Sequence, residues 1–202
     1  MEESSIAYDQ HQFQADFQIP FDYFVSKKHK AIGTSDFLGF TDSIGNLIYR
    51  VQHQSHKSKD HPHCITLFLD ASGDTLFTIH RVNKGSWQGF RRKDSREKDL
   101  IFKVDRTLND FTRTEFEILF VDENNEDSKT EFKMKGCPFK RSCTIYNGDS
   151  IVAETSLMHK LGIKKFFVSR SRFRVTIFPG CTDHSLVLAL IVIYFDGRKL
   201  WI

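Results

Sequence analysis

Three groups of cations are the residues in this sequence best suited to chemistry with a partner. Lys164, Lys165, Arg170, Arg172 and Arg174 fall within one short stretch; Arg91-Arg92-Lys93 with Arg96 and Lys98 makes a second, and Lys27-Lys28-His29-Lys30 a third. Cations that converge on one face can hold phosphorylated head groups, with arginine forming paired hydrogen bonds to phosphate. The plainer alternative is a solvated outer face, because any β-sheet domain needs charged positions on its wet side. Asp94, Glu97 and Asp99 interrupt the second group, so nucleic acid is not expected as a partner.

Other constellations are weaker. His56-x4-His61-Pro62-His63-Cys64 contains good zinc ligands, with His61, His63 and Cys64 the closest together. Its spacing fits no standard zinc motif, so no metal is expected and an exposed loop is the alternative. Cys137 and Cys143 stand too far apart for a redox pair or a metal knuckle. The acidic run Asp122 to Asp127 lacks the central Gly and terminal Glu of a calcium loop. Phosphate-binding glycine motifs, the nucleophile elbow and the His-Glu-x-x-His zinc motif are absent. The expectation is therefore a non-enzymatic protein without a cofactor. Asp42 and Asp70 sit in Gly-containing turns with Gly45 and Gly73, where an aspartate accepts backbone N–H groups rather than acting as an acid.

The elements that must position these groups are mostly strands. The chain has 202 residues, enough for one well-buried core, and its 20 Phe suit the pleated, half-buried positions of a β-rich interior. A net charge of +3 is slight, so an anionic partner must be drawn by a local patch. Alternation with period two runs through Glu115 to Phe120, Glu131 to Lys135 and Arg172 to Ile177, giving one dry and one wet face. Dense Gly and Asn turns separate about a dozen such runs. Phe40 to Val51 also aligns without gaps on Phe68 to Ile79, each an aromatic, an Asp, a Gly-Asn or Gly-Asp turn, then an aromatic.

One segment breaks the pattern. Leu186 to Phe195 is apolar on every side, and crossing hydrocarbon takes about 17–25 residues, so no transmembrane span is expected. Thr182 or Asp183 can cap a helix start and Gly197 can stop one. The reading is a short buried helix, with Leu186, Leu190 and Ile191 in the core. Residues 1–18 are polar and Gln-rich and read as a flexible arm ahead of a domain over 19–202. Neither a secretory signal nor a lipidation site is found. Four widely spaced cysteines argue for a reducing compartment, with the thiols acting as small buried hydrophobes.

Four blocks in order resemble the LURP-one-related family of plant proteins, covering the chain from about Ile19 to Asp196. They are Asp42-Ser43-Ile44-Gly45-Asn46 with Tyr49-Arg50-Val51, Leu69 to Ile79, Lys135-Gly136 with Arg141 to Tyr146, and Val187 to Ile193. The chain departs from that pattern at Cys137-Pro138-Phe139-Lys140 and in the polar stretch Gln52 to Pro62, read as a loop. The resemblance implies a tubby-like fold, a closed antiparallel β-barrel of about twelve strands around a central hydrophobic C-terminal helix. It also implies kinship with tubby proteins, which bind phosphoinositides, and with phospholipid scramblases; some members are tied to plant defence. The expectation is a monomeric binding module that docks on anionic phospholipid, cytoplasmic and either peripheral at the plasma membrane or nuclear. Its lipid-contacting candidates are Lys164, Lys165, Arg170, Arg172, Arg174, Arg91, Arg92 and Lys93. A protein partner without lipid contact, or scramblase activity, are the alternatives.

Overall fold

The computed structural model describes residues 19–28, 37–56, 63–91, 99–110, 112–121, 131–137, 140, 142–158 and 172–196. The alternating segments become β1 (Phe21–Lys28), β2 (Phe37–Thr41), β3 (Leu47–His56), β4 (His63–Asp70), β5 (Thr75–Arg81) and β6 (Ser86–Arg91). They continue as β7 (Leu100–Asn109), β8 (Thr114–Phe120), β9 (Glu131–Cys137), β10 (Ser142–Asn147), β11 (Ser150–Leu157) and β12 (Arg172–Ile177). Each strand pairs antiparallel with its chain neighbours, and β1 with β12 closes the barrel. Closure leaves no free sheet edge.

Of the polar stretch Gln52 to Pro62, read as a loop, Gln52 to His56 is strand, and residues 57–62 lie outside the described residues. β3 runs on to His56, and the backbone of His56 faces that of His63 in β4. Pairing overrides local polarity here, because the outer face of a barrel strand tolerates polar side chains.

The two repeated hairpins fold alike. Gly45 and Gly73 take φ of 92° and 102°, left-handed values that glycine adopts without strain. Asp42 Oδ1 accepts from the backbone N–H of Ile44 at 3.0 Å and of Asn46 at 2.8 Å; Asp70 Oδ1 accepts from Gly73 at 2.7 Å and Asp74 at 2.9 Å. Slight desolvation raises the Asp42 pKa, but hydrogen bonds from Asn46, Ile44 and Gly45 outweigh it and hold the carboxyl below its ordinary value. The register slips at equivalent places, between Phe40 and Thr41 and between Phe68 and Leu69. The repeat thus encodes a bulge as well as a turn.

The apolar segment is the helix α1 (His184–Asp196), with Val187 through Phe195 all buried. It lies inside the barrel, as a helix apolar on every side must. Inward residues such as Phe40, Phe68, Phe102, Phe116 and Phe173 surround it, and all five are buried. Thirteen residues rise about 20 Å, enough to thread the barrel. Among the described residues no helix is long and apolar enough to cross a membrane.

Candidate functional site

Asp183 starts the helix as its N-cap: Oδ1 accepts from Leu186 N–H at 3.0 Å and from the Ser185 hydroxyl at 2.6 Å. The side chains before and at this cap fill one half of the lower mouth, the rim through which α1 enters. Tyr23 Oη and His184 Nδ1 lie 3.1 Å apart, although 161 positions separate them in sequence. Tyr49 stacks beyond Tyr23 at 5.9 Å between ring centroids and on Phe68 at 5.3 Å. Burial, with smaller contributions from Tyr49, pushes the Tyr23 pKa well up. Tyr49 is also raised, by burial and the nearby Asp183 and Asp70, against a lowering hydrogen bond with Tyr23. These groups hold the neutral forms that a closed, partly desolvated mouth favours.

Among the described residues, the other half of the lower mouth is open. Between the ends of β8 and β9, the β10–β11 turn and the 179–183 segment lies a cavity of about 610 Å³. Leu186 and Val187 of α1 form its floor, and Phe120 and Phe132, edge to face at 5.0 Å, stand on one wall. Cys181 sits at the lip, half-buried; burial raises its thiol pKa, and its Sγ lies 3.8 Å from the Asp183 carbonyl. The cysteines were expected to be buried hydrophobes, and Cys143 is. Cys137 and Cys181 are only half-buried.

At the upper rim, Trp87 Nε1 reaches Asp196 Oδ2 at 3.4 Å, and the Arg81 and Arg106 guanidinium carbons lie 5.4 and 5.7 Å from the Trp87 ring centre. α1 is therefore held at both ends.

The basic candidates divide between the rims. Arg172 opens β12 at the upper rim opposite Ser26 of β1, and Arg174 follows on the outer face; both are exposed. Arg174 Nη1 lies 3.6 Å from Asp22 Oδ2, whose partner oxygen accepts from Thr176 Oγ1 at 2.6 Å. Arg172 lines a shallow exterior groove of about 450 Å³ with Ser26, Met158 and the Asp42–Gly45 turn. Arg91, also exposed, closes β6 opposite Phe77, at the lower rim. Arg172 of the first group and Arg91 of the second thus lie at opposite ends of the barrel. Lys164, Lys165, Arg170, Arg92 and Lys93 lie outside the described residues, as does His61; of His63 and Cys64 only the backbone is described. Among the described residues no three metal-ligating side chains come together.

The sequence offered Thr182 or Asp183 as the cap, of which the structure uses Asp183, but did not show Tyr23, Tyr49, Cys181 and His184 as a group. The available signal was positional: a helix inside a barrel enters through a mouth, so the residues before it must line that mouth.

A closed twelve-strand antiparallel barrel threaded by one buried helix defines the class, the tubby-like architecture that the resemblance implied. Comparison then gives the family. The LURP-one-related family model matches residues 21–196, and the chain belongs to that family. Protein LURP-one-related 7 of Arabidopsis thaliana is 43% identical over 180 residues, covering 89% of this chain and 91% of that protein. LURP-one-related 15 of the same plant is 26% identical over 89% of this chain and 81% of its own. Protein LURP1 is 27% identical over 79% and 75%.

Proposed function

We propose that this domain is a non-enzymatic binding module that docks on anionic phospholipid, phosphoinositides included, through the upper rim around β1 and β12. What carries the reading is the register of Ser26 opposite Arg172. It makes neighbours of the end of β1, which carries Lys27 and Lys28 and is followed in sequence by His29 and Lys30, and the start of β12, which in sequence follows Lys164, Lys165 and Arg170. Arg172 there has Met158, 40% exposed, beside it in a groove that runs along the barrel wall to Ile44 of the β2–β3 turn, 82% exposed. A cation beside exposed apolar groups suits the boundary between head groups and acyl chains. Arg91 stands at the other end and is left out of the docking face. The polar side chains of the lower mouth serve to hold α1, which supports a binding role over a catalytic one. A scramblase would need α1 in the bilayer, against its burial on all sides.

The test is co-sedimentation with phosphatidylcholine vesicles containing phosphatidylserine or a phosphoinositide, against phosphatidylcholine alone. Binding is expected only to the anionic vesicles, weakening with salt, and falling by more than about tenfold when Lys164, Lys165, Arg170 and Arg172 become Ala, since each basic residue contributes about 1 kcal/mol near such a surface. Absence of binding at low salt, or no change in the variant, refutes the lipid reading and leaves a protein partner.

A further inference from the structure

The lower mouth is asymmetric. On the β1–β4 side, Phe21, Tyr23, Tyr49 and His184 pack against one another and seal the passage beside α1. On the β8–β11 side nothing equivalent is present among the described residues, and the cavity of about 610 Å³ reaches the helix itself. That volume lies within the range of pockets that take small organic ligands, and barrel mouths are a recurrent place for them. Phe120, Phe132 and Leu186 are half-buried there, next to a layer of fully buried core. Apolar surface left in contact with water gains stability when another apolar body covers it.

The lining also defines what that body is. No Lys or Arg is among the described residues of the cavity, and the one charged side chain among them is the carboxylate of Asp183. A phosphate or carboxylate would be placed near a like charge, with no cation among the described lining residues to offset it. Asn147, Ser150 and Thr182 lie at the rim and supply uncharged hydrogen-bonding groups above an apolar floor.

We infer that this cleft is a binding site for a small, uncharged, largely apolar molecule with a hydrogen-bonding end, its body against Phe120, Phe132 and Leu186 and its polar end toward Asn147, Ser150 and Thr182. It is independent of the basic upper rim in both position and ligand chemistry.

The experiment titrates the full chain with the uncharged fluorophore N-phenyl-1-naphthylamine and, in parallel, with 8-anilinonaphthalene-1-sulfonate, which has a similar ring framework and a negative charge. Saturable enhancement at one site per chain is expected for the first, with the sulfonate binding at least about tenfold more weakly. Ser150→Trp and Ile151→Trp place a large ring into the cleft from exposed positions. Each should weaken the neutral probe by at least about tenfold with the melting temperature unchanged, while Arg172→Ala leaves it unaffected. Unsaturable uptake of the neutral probe overturns the inference, as does equal or tighter binding of the sulfonate. Retention of full affinity in both folded Trp variants does so as well. The two-probe comparison decides the matter should either variant fail to fold.

Discussion

Single residues in this barrel act through what their neighbours leave them. Gly136 of β9 faces Cys143 of β10, and a Cβ there would meet the Ser142 carbonyl oxygen at 2.1 Å, a backbone atom that cannot step aside. Gly136→Ala is expected to cost about 1–3 kcal/mol by overpacking, read as a lower urea midpoint. Gly45→Ala meets no atom within 4 Å and should cost only the strain of its left-handed backbone, about 1–2 kcal/mol. Tyr23 gives a pH dependence. Burial, aided by Tyr49, raises its folded pKa above the unfolded value, so its contribution is complete below the ordinary tyrosine value of about 10 and is lost as pH rises toward the folded value. Urea denaturation from pH 8 to 11 should show stability falling in the native chain and falling less in Tyr23→Phe. An equal fall in both would mean that this phenol does not feel the closed mouth.

Among the described elements, α1 alone lacks a wet face, and its burial makes it the least tolerant of charge. Leu190→Asp places an unpaired carboxylate where the native side chain has no exposure, which costs several kcal/mol or more and should leave the chain unfolded or insoluble. Leu190→Ala should fold but lose about 2–5 kcal/mol by forming a cavity. A Leu190→Asp protein that stays soluble with native circular dichroism would place α1 outside the barrel. The strands are more permissive, since only alternate positions are inward. This is why their identities were legible: Arg172, Phe173, Arg174 and Val175 alternate exposed and buried in the order that period two dictates. Their ends were less legible. β3 continues through a polar tract because β4 lies beside it, a circumstance that local composition does not record.

For the whole molecule, the decisive contact is the seam between β1 and β12, where Phe21 pairs with Ile177 and Ser26 with Arg172. No hairpin turn supplies this pairing, so it forms only after a large loop-closure entropy has been overcome. Removing residues 1–28 deletes β1 and exposes edges on β12 and β2. The product is expected to lose its cooperative thermal transition and aggregate. A truncated chain that melts cooperatively near the native temperature would show that the seam is dispensable. The same seam decides function under the proposed reading, because it makes neighbours of basic strand ends that the chain separates widely.

What this sequence determined alone follows from periods of a few residues. Inward and outward positions along Glu115 to Phe120, the Asp-Gly turns at Asp42 and Asp70, and the interior place of Val187 to Phe195 are local patterns that any sheet or helix must obey, whereas Leu186, expected in the core, is half-buried at the mouth. Tertiary structure alone decided that Arg91 and Arg172 stand at opposite rims, that Tyr23 meets His184, and that, among the described residues, one side of the helix mouth is packed while the other is open. Those facts depend on pairings between residues far apart in the chain, and a pattern with a period of two or four carries no information about which distant strand it will face.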